Sequence, residues 1–104
     1  MNVGFLVEKY QIELTAYKTG NNFIEIANTR FTFFGMKQIW SPDNIDDENY
    51  RNFRREHIKI LTKETELNLI AKDIIIFKDK HFIIQNVYKD DNYGFLRFEC
   101  VAKI

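Results

Sequence analysis

Apolar and polar residues alternate with a period of two along much of the chain, a pattern typical of half-buried β-strands. Residues 10–17 carry apolar side chains at every second position, and turn-forming residues follow at 19–22. The strand pattern returns at 23–34, and we expect this second strand to end at Gly35. In a regular strand its isoleucines and phenylalanines would point to opposite faces. We therefore predict a β-bulge at 28–29 that brings them to one face.

The second half of the chain repeats the strand pattern four times. A connection at 64–72 interrupts it, and we expect this connection to cross the domain, held by Leu67, Leu69 and Ile70. Residues 78–80 have the spacing of a hairpin turn, and residues 90–94 give the clearest turn signal in the chain. The four strands are predicted at 57–63, 73–77, 81–88 and 96–103.

Six short strands separated by turns favour a β-sandwich or a small closed barrel. Closure removes the exposed strand edges that would make such aromatic strands prone to aggregate. We therefore predict a mainly β fold, a small six-stranded antiparallel β-barrel, which occupies residues 1–104 as a single domain.

Residues 36–56 break the alternation and form a long insertion between the second and third strands. Ser41-Pro42 has the character of a helix start, and acidic residues follow it before a group of arginines, an order that suits the helix dipole. Apolar spacing is thin, so we expect either a short helix or a loop. Trp40 is either tucked into one end of the core or an anchor at an interface.

The chain of 104 residues balances 15 basic against 15 acidic residues. This balance argues against a free-standing nucleic-acid-binding protein and does not oppose self-association. A single cysteine excludes internal disulfides and multi-cysteine metal sites, which fits a reducing compartment. The longest apolar run, at 74–77, is too short to span a bilayer, and the start lacks the layout of a signal peptide. We therefore expect a cytoplasmic protein with no membrane partner.

The sequence offers little catalytic chemistry. His57 and His81 are the only histidines, and none of the common metal, phosphate-loop or nucleophile motifs is present. Cys100 lies on the same face of its predicted strand as the apolar residues around it. This position predicts a small buried hydrophobe rather than a nucleophile. The acidic residues at 43–48 lack the glycine and the spacing of a calcium-binding loop. We expect no enzymatic activity, no cofactor and no metal.

Several short segments resemble motifs of the phage head-tail joining family, the small head-completion or stopper proteins. Residues 57–60 resemble its His-x-Ile-x-Ile strand, and residues 73–87 resemble its hairpin, an apolar run, a turn and an aromatic-x-Ile-x-x-Val strand. Residues 95–100 are similar to its Leu-Glu-Leu-x-Cys ending, and residues 9–14 lie where its opening strand lies. The hairpin has Asp79-Lys80 where the family usually has Asp-Gly, so we expect a loop longer than two residues.

The resemblance implies a β-barrel that assembles as a ring of about twelve copies. Such a ring is built in the host cytoplasm and sits in the neck of the virion, with portal and adaptor proteins above it and a tail-joining protein below. It helps to retain the packaged DNA, which passes through its channel. The insertion would face the channel or a neighbouring subunit through Met36, Lys37, Trp40, Asp43, Asp46, Asp47, Glu48, Tyr50, Arg51, Arg54 and Arg55.

Two alternatives stay open from the sequence. One is another phage joint of similar size, a tail-completion or terminator protein. The other is an oligonucleotide-binding β-barrel, in which Tyr88, Tyr93 and Phe95 would stack on bases, although such a groove normally carries a basic excess.

Overall fold

The computed structural model describes residues 10–20, 22–39, 56–92 and 94–103, in which six antiparallel strands close into a barrel. Around the barrel the strands follow the order β1-β2-β3-β6-β5-β4, and β4 pairs back onto β1. This arrangement confirms the predicted six-stranded antiparallel β-barrel. The strands are β1 (Ile12–Tyr17), β2 (Phe31–Ile39), β3 (His57–Thr62), β4 (Ile74–Phe77), β5 (Lys80–Asp90) and β6 (Phe95–Ala102).

One apolar core fills the barrel, because alternate residues of each strand point inward. Leu69 is buried in this core although it lies on the connection between β3 and β4, two strands that are not neighbours. The predicted crossing and its Leu69 contact are therefore confirmed, whereas Ile70 is 60% exposed. The buried core residues are Leu14, Ala16, Phe33, Ile58, Ile60, Leu69, Ile75, Phe82, Ile84, Leu96, Phe98 and Cys100.

The connection between β1 and β2 folds back along the outside of the barrel instead of extending β2. The N–H of Ile26 donates to the carbonyl of Lys18 at 2.9 Å. Lys103 Nζ, from the end of β6, donates to the carbonyl of Phe23 at 3.2 Å. The predicted strand over 23–30 is therefore wrong, and β2 begins at Phe31.

A threonine side chain accounts for this change of direction. The Thr29 hydroxyl donates to the carbonyl of Ile26 at 2.7 Å and accepts the N–H of Lys18 at 3.0 Å. Hydroxyls that satisfy nearby backbone groups in this way compete with the strand ladder. Because of this local turn, the residues before Phe31 do not pair with β1, as an earlier start of β2 would require.

The predicted bulge at 28–29 is also wrong. Asn28 instead lies in a turn with a φ of 64°, in the left-handed region that asparagine enters more readily than most residues. The register shift of this barrel lies in β5, between Ile84 and Asn86, opposite β6. Bulges of this kind increase local twist and curvature, which a small closed barrel requires.

Gly35 does not end β2, as we had expected, but lies within it. An added Cβ at this position would lie 3.0 Å from the carbonyl oxygen of Leu61 and 3.1 Å from Cγ2 of Ile60. The glycine therefore allows β3 to approach β2 closely, and the ladder continues to Ile39, which pairs with Ile58.

Closure of the barrel rests on a short seam between β1 and β4, which has three residue pairs. Directly beside it lies the carboxylate of Asp73, a residue only 1% exposed. Its oxygens accept hydrogen bonds from Lys18 Nζ at 2.6 Å, from the N–H of Thr19 at 3.1 Å and from the N–H of Ile70 at 3.0 Å. One buried side chain thus joins the end of β1 to the turn before β4.

The hairpin between β4 and β5 is tighter than predicted. Phe77 pairs with Lys80, which leaves only Lys78 and Asp79 in the turn, and both have positive φ angles, 49° and 65°. Positive φ at both central residues is the signature of a type I′ turn, whose geometry matches strand twist. The expected longer loop is therefore wrong, because the twist of the strands imposes this turn without the usual glycine.

We expect Asp73→Ala to lower the free energy of unfolding by about 3 kcal/mol, because it leaves two N–H groups without their acceptor and the partly buried Lys18 ammonium with only the carbonyl of Asn68. Urea denaturation measures the loss. Glu25→Gln is the matched control, because it breaks the exposed ion pair with Arg30 and should change the midpoint little. Equal losses in both variants would contradict the role given to Asp73.

We expect Asp79→Gly to raise the free energy of unfolding by about 0.5 kcal/mol, because relief of the left-handed strain exceeds the entropy cost of glycine. Gly94→Ala is the converse control, because it introduces a side chain at a positive φ and should lower the free energy of unfolding. Gly94 has a φ of 69° and an added Cβ would meet nothing within 4 Å, so any loss there comes from the backbone alone. Chemical denaturation of both variants should give changes of opposite sign.

Candidate functional site

Only two of the eleven predicted channel or inter-subunit residues, Met36 and Lys37, lie among the described residues, and both are in β2 rather than in a loop. Met36 pairs with Leu61, and Lys37 pairs with Ile60, because the β2–β3 ladder continues past Gly35. The predicted start of the insertion is thus corrected. Nine predicted residues lie outside the described part of the chain: Trp40, Asp43, Asp46, Asp47, Glu48, Tyr50, Arg51, Arg54 and Arg55.

Met36 belongs to a small apolar cluster on the outer surface of the barrel. It is 7% exposed and packs with Leu61 and Phe95. The outward position follows from strand alternation, since Phe33 lies in the core opposite Leu14 and Met36, three positions later, falls on the other face of β2. Met36 is therefore largely buried in this wall, and its channel or inter-subunit role stays a prediction.

Lys37 lies at the barrel end from which β2 leads into the insertion. Its ammonium is 5.4 Å from the centre of the Phe77 ring, and the ammonium of Lys78 lies at the same distance from that ring. Lys80 of the same hairpin forms an ion pair with Glu56, where the chain returns from the insertion. The ends of the insertion therefore meet a rim of lysines, which we call the lysine rim: Lys37, Lys78 and Lys80.

Beside the lysine rim, a polar cleft of about 700 Å³ lies on the outer wall of the barrel. Its central contact is a 2.7 Å hydrogen bond between the hydroxyl of Tyr17 and Nδ1 of His81. The two rings lie 5.7 Å apart at a tilt of 60°. The cleft is lined by Tyr17, Glu56, Asp79, Lys80, His81, Ala102 and Lys103.

The folded-back β1–β2 connection covers one side of this tyrosine. The Arg30 guanidinium lies 5.3 Å from the centre of the Tyr17 ring, and Arg30 is paired with Glu25 at 2.6 Å. Burial, and to a lesser degree the charge of Glu25, raise the pKa of the Tyr17 phenol above its usual value. The phenol therefore stays protonated at neutral pH and acts as a hydrogen-bonding group rather than as a base.

Sequence reasoning missed the Tyr17–His81 pair. The two residues are 64 positions apart. Strand alternation placed Tyr17 on the polar face of β1, next to core residues, and indicated nothing more about it. Barrel closure brings them together, because β1 pairs with β4 and β4 pairs with β5. No local motif signals such a contact, and only the strand order would have revealed it.

Cys100 is confirmed as a buried hydrophobe, with no exposed surface. Burial, followed by the neighbouring charge of Glu99, raises the pKa of its thiol far above the usual value. A thiol held protonated and out of contact with solvent cannot act as a nucleophile.

Among the residues that the structure describes, no group of three or more histidine, cysteine, aspartate or glutamate side chains is arranged to hold a metal ion. Within the same ranges, no helix is long and apolar enough to cross a membrane.

The described residues thus form a small closed β-barrel with a polar cleft on its outer wall. No known family model matches the chain, and a search of curated proteins finds no match.

We expect Tyr17→Phe to lower the free energy of unfolding by about 1 kcal/mol at pH 8, because it removes the hydrogen bond to His81. A raised pKa in the folded state means that the stability from this phenol is complete below pH 10 and is lost as the pH rises further. The difference between wild type and variant should therefore shrink above pH 10. Urea titrations at pH 8, 10 and 11 measure it, and a constant difference would contradict the buried-phenol argument.

Proposed function

We propose that the chain is a structural subunit of the bacteriophage head-to-tail connector, which forms a ring that joins the portal and adaptor proteins to the tail and helps to retain packaged DNA. The observation that carries this proposal is the closed barrel whose insertion begins and ends at one rim. The head-tail joining family, which segments of the sequence resemble, implies a barrel with a long loop inserted between two of its strands.

Closure pairs every strand with a neighbour on each side, so side chains on the outer wall are the main surface offered to another subunit. A head-to-tail ring needs two complementary patches on each subunit. Exposed apolar side chains lie on two separate parts of the barrel surface. Phe34, 47% exposed, and Ile12, 41% exposed, lie on β2 and β1 toward the lysine rim, whereas Ile24 and Ile26 lie on the β1–β2 connection, which folds back along the outside of the barrel. This distribution suits contacts between successive subunits.

The charge pattern also suits a channel that must later release its DNA. The chain has no net charge, so a ring of many copies would not accumulate a large positive potential. Lys37 and Lys78 place positive charge at the rim that bears the insertion, where each ammonium also contacts Phe77. A few cations at a rim can guide DNA without the tight grip that many phosphate contacts produce.

The lysine rim also favours the second candidate, an oligonucleotide-binding barrel. Its exposed cations lie next to an aromatic ring, which is the combination that single-stranded nucleic acid binds. Filter binding of a single-stranded oligonucleotide at low salt separates the two candidates. Tight binding that Lys37→Gln and Lys78→Gln abolish would favour this second candidate over the ring subunit.

We expect the purified chain to be monomeric or weakly associated alone and to join a portal–adaptor complex as a ring. Co-sedimentation followed by electron microscopy measures the assembly. Phe34→Asp should prevent joining because it places a charge in an apolar contact, while Gln85→Glu, an exposed polar position on β5, should not. Failure of the wild-type chain to co-migrate with the complex would contradict the proposal.

Particles made without the protein distinguish a stopper from a terminator. Tails of normal length that fail to attach to heads indicate a stopper, whereas tails of abnormal length indicate the tail-completion or terminator alternative.

A further inference from the structure

The six strands close the barrel, but they differ in length, and β5 extends well beyond its shorter neighbour β4. Residues 80–83 of β5 pair with β4, whereas β5 continues to Asp90. On the β4 side, Ile84 is the last residue of β5 with a described backbone partner. Its N–H donates to Asp73, and its carbonyl accepts from Lys72. Beyond Ile84, β6 is the described strand that pairs with β5.

Strand alternation shows which backbone groups of β5 point toward this open side. In an antiparallel strand, alternate residues direct their N–H and C=O groups to opposite neighbours. The N–H of Lys103 donates to β5, and Arg97, an even number of positions before it, faces β5 too, because β6 has no register shift beside β3. Arg97 pairs with Tyr88, so Tyr88 faces β6. Its two neighbours, Val87 and Lys89, therefore face the open side.

We call this stretch the β5 edge: residues 86–90 on the side of β5 that faces away from β6. Lys89 is exposed and Val87 is half-buried. No described residue forms a backbone hydrogen bond with either of them on this side. Unpaired N–H and C=O groups at a two-residue spacing are a template for another strand, because an extended backbone matches that spacing.

β2 has a comparable overhang, but side chains cap it. β2 pairs with β3 only from Met36 onward, so its first residues have no strand on that side. There the N–H of Phe34 donates to a carboxylate oxygen of Glu64 at 2.6 Å, and its carbonyl accepts the hydroxyl of Thr62 at 2.6 Å. Backbone groups capped in this way are not open to another chain. Within the described ranges the β5 edge has no such cap, so its backbone is open to a partner.

The β5 edge is complementary to itself. Its centre is Tyr88, so a second copy that pairs antiparallel about a twofold axis at Tyr88 uses the whole stretch. Val87 of each copy then lies opposite Lys89 of the other, and each of these pairs exchanges both of its N–H···O bonds. The two lysines do not face each other, which avoids the repulsion that like charges cause directly across a strand pair.

Side chains on the outer face support the same register. Tyr88 is 45% exposed, and the Arg97 guanidinium lies 4.4 Å from the centre of its ring. In the pair, the two Tyr88 rings lie opposite each other at a non-hydrogen-bonded position. Cross-strand side chains approach most closely at such positions, and aromatic pairs there stabilise a sheet.

Charges at the two ends of the β5 edge also match. Asp91 follows β5 directly, and the backbone of Lys72 bonds to Ile84 at the other end of the edge. Both charged residues are exposed. Antiparallel pairing brings the turn of one copy to the Ile84 end of the other, so Asp91 of each copy approaches Lys72 of the other. The chain has no net charge, so two copies do not repel each other at long range.

We propose that two copies of the chain associate through their β5 edges, as an antiparallel strand pair about a twofold axis at Tyr88. The sheet then continues from β6 and β5 of one copy to β5 and β6 of the other. Both copies use the same surface, so the assembly closes at two and is not the ring of a connector. The interface is small, so the pair forms at high protein concentration. This pairing does not rest on the proposed connector function.

Sedimentation equilibrium of the full chain, from micromolar to millimolar concentration, tests the pairing. We expect a reversible monomer–dimer equilibrium. Amide hydrogen exchange locates the contact, because the N–H groups of Val87 and Lys89 are open in the monomer. At micromolar concentration both should exchange rapidly, while the amide of Tyr88, which faces β6, is protected. At millimolar concentration exchange at Val87 and Lys89 should slow severalfold.

Proline variants test the β5 edge without removing a barrel hydrogen bond. Lys89→Pro removes an N–H that points away from β6, a position at which an edge strand tolerates proline, and it should abolish the dimer. Thr32→Pro is the matched control on β2. The N–H of Thr32 points the same way as that of Phe34, toward the other overhang, so the monomer–dimer equilibrium should not change. Urea midpoints close to wild type show that both variants fold.

A charge exchange tests the register without proline. Lys72→Glu alone should weaken the dimer severalfold, because it places a carboxylate near Asp91 of the other copy. The double variant Lys72→Glu with Asp91→Lys should restore the dimer, since opposite charges again meet. A double variant as weak as the single one would contradict the register.

A wild-type chain that stays monomeric at millimolar concentration would overturn the proposal, as would a dimer that Lys89→Pro leaves intact. Protection of Val87 and Lys89 at micromolar concentration would also overturn it, because the edge would then be covered within one chain. Protection that appears only with the portal–adaptor complex would assign the edge to another protein and overturn self-pairing. Ring formation on that complex is measured separately, so either result can stand without the other.

Discussion

The buried carboxylate of Asp73 is the interaction on which closure of this barrel depends. Five of the six strand contacts form between neighbours that share a hairpin, an insertion or a long ladder, but β1 and β4 share only three residue pairs. Asp73 strengthens this weakest contact by binding Lys18 and two backbone N–H groups at once. A buried charge is tolerated there because it accepts three hydrogen bonds, two from the end of β1 and one from the turn before β4. The outer cleft depends on the same seam, because closure brings Tyr17 to His81.

Strand alternation was sufficient to predict the class of fold. It located the strands to within a few residues, except for β2, which was wrong at both ends, and it identified Cys100 as a core residue. It failed where a single side chain or a close backbone approach outweighed the pattern. Thr29 turned residues 23–30 out of the sheet, and Gly35 allowed β2 to continue where glycine usually signals an end.

The candidate sites were much less predictable. Tyr17 with His81, and Arg97 with Tyr88, are brought together by strand order and register, neither of which follows from local periodicity. The hairpin turn shows the same limit, because Lys78 and Asp79 adopt positive φ under the twist of the flanking strands and not from their own preference. The predicted sites in the insertion, from Trp40 to Arg55, lie outside the described residues and stay predictions.

The two parts of the closing seam lie far apart in the chain, with 55 positions between Lys18 and Asp73. During synthesis β1 leaves the ribosome well before β4 exists, so its unpaired edge must wait for most of the domain to be made. Contacts of such long range slow folding and leave an adhesive strand exposed meanwhile. One edge of β1 can pair with β2 early, but the edge that pairs with β4 is covered only after residues 74–76 have been made.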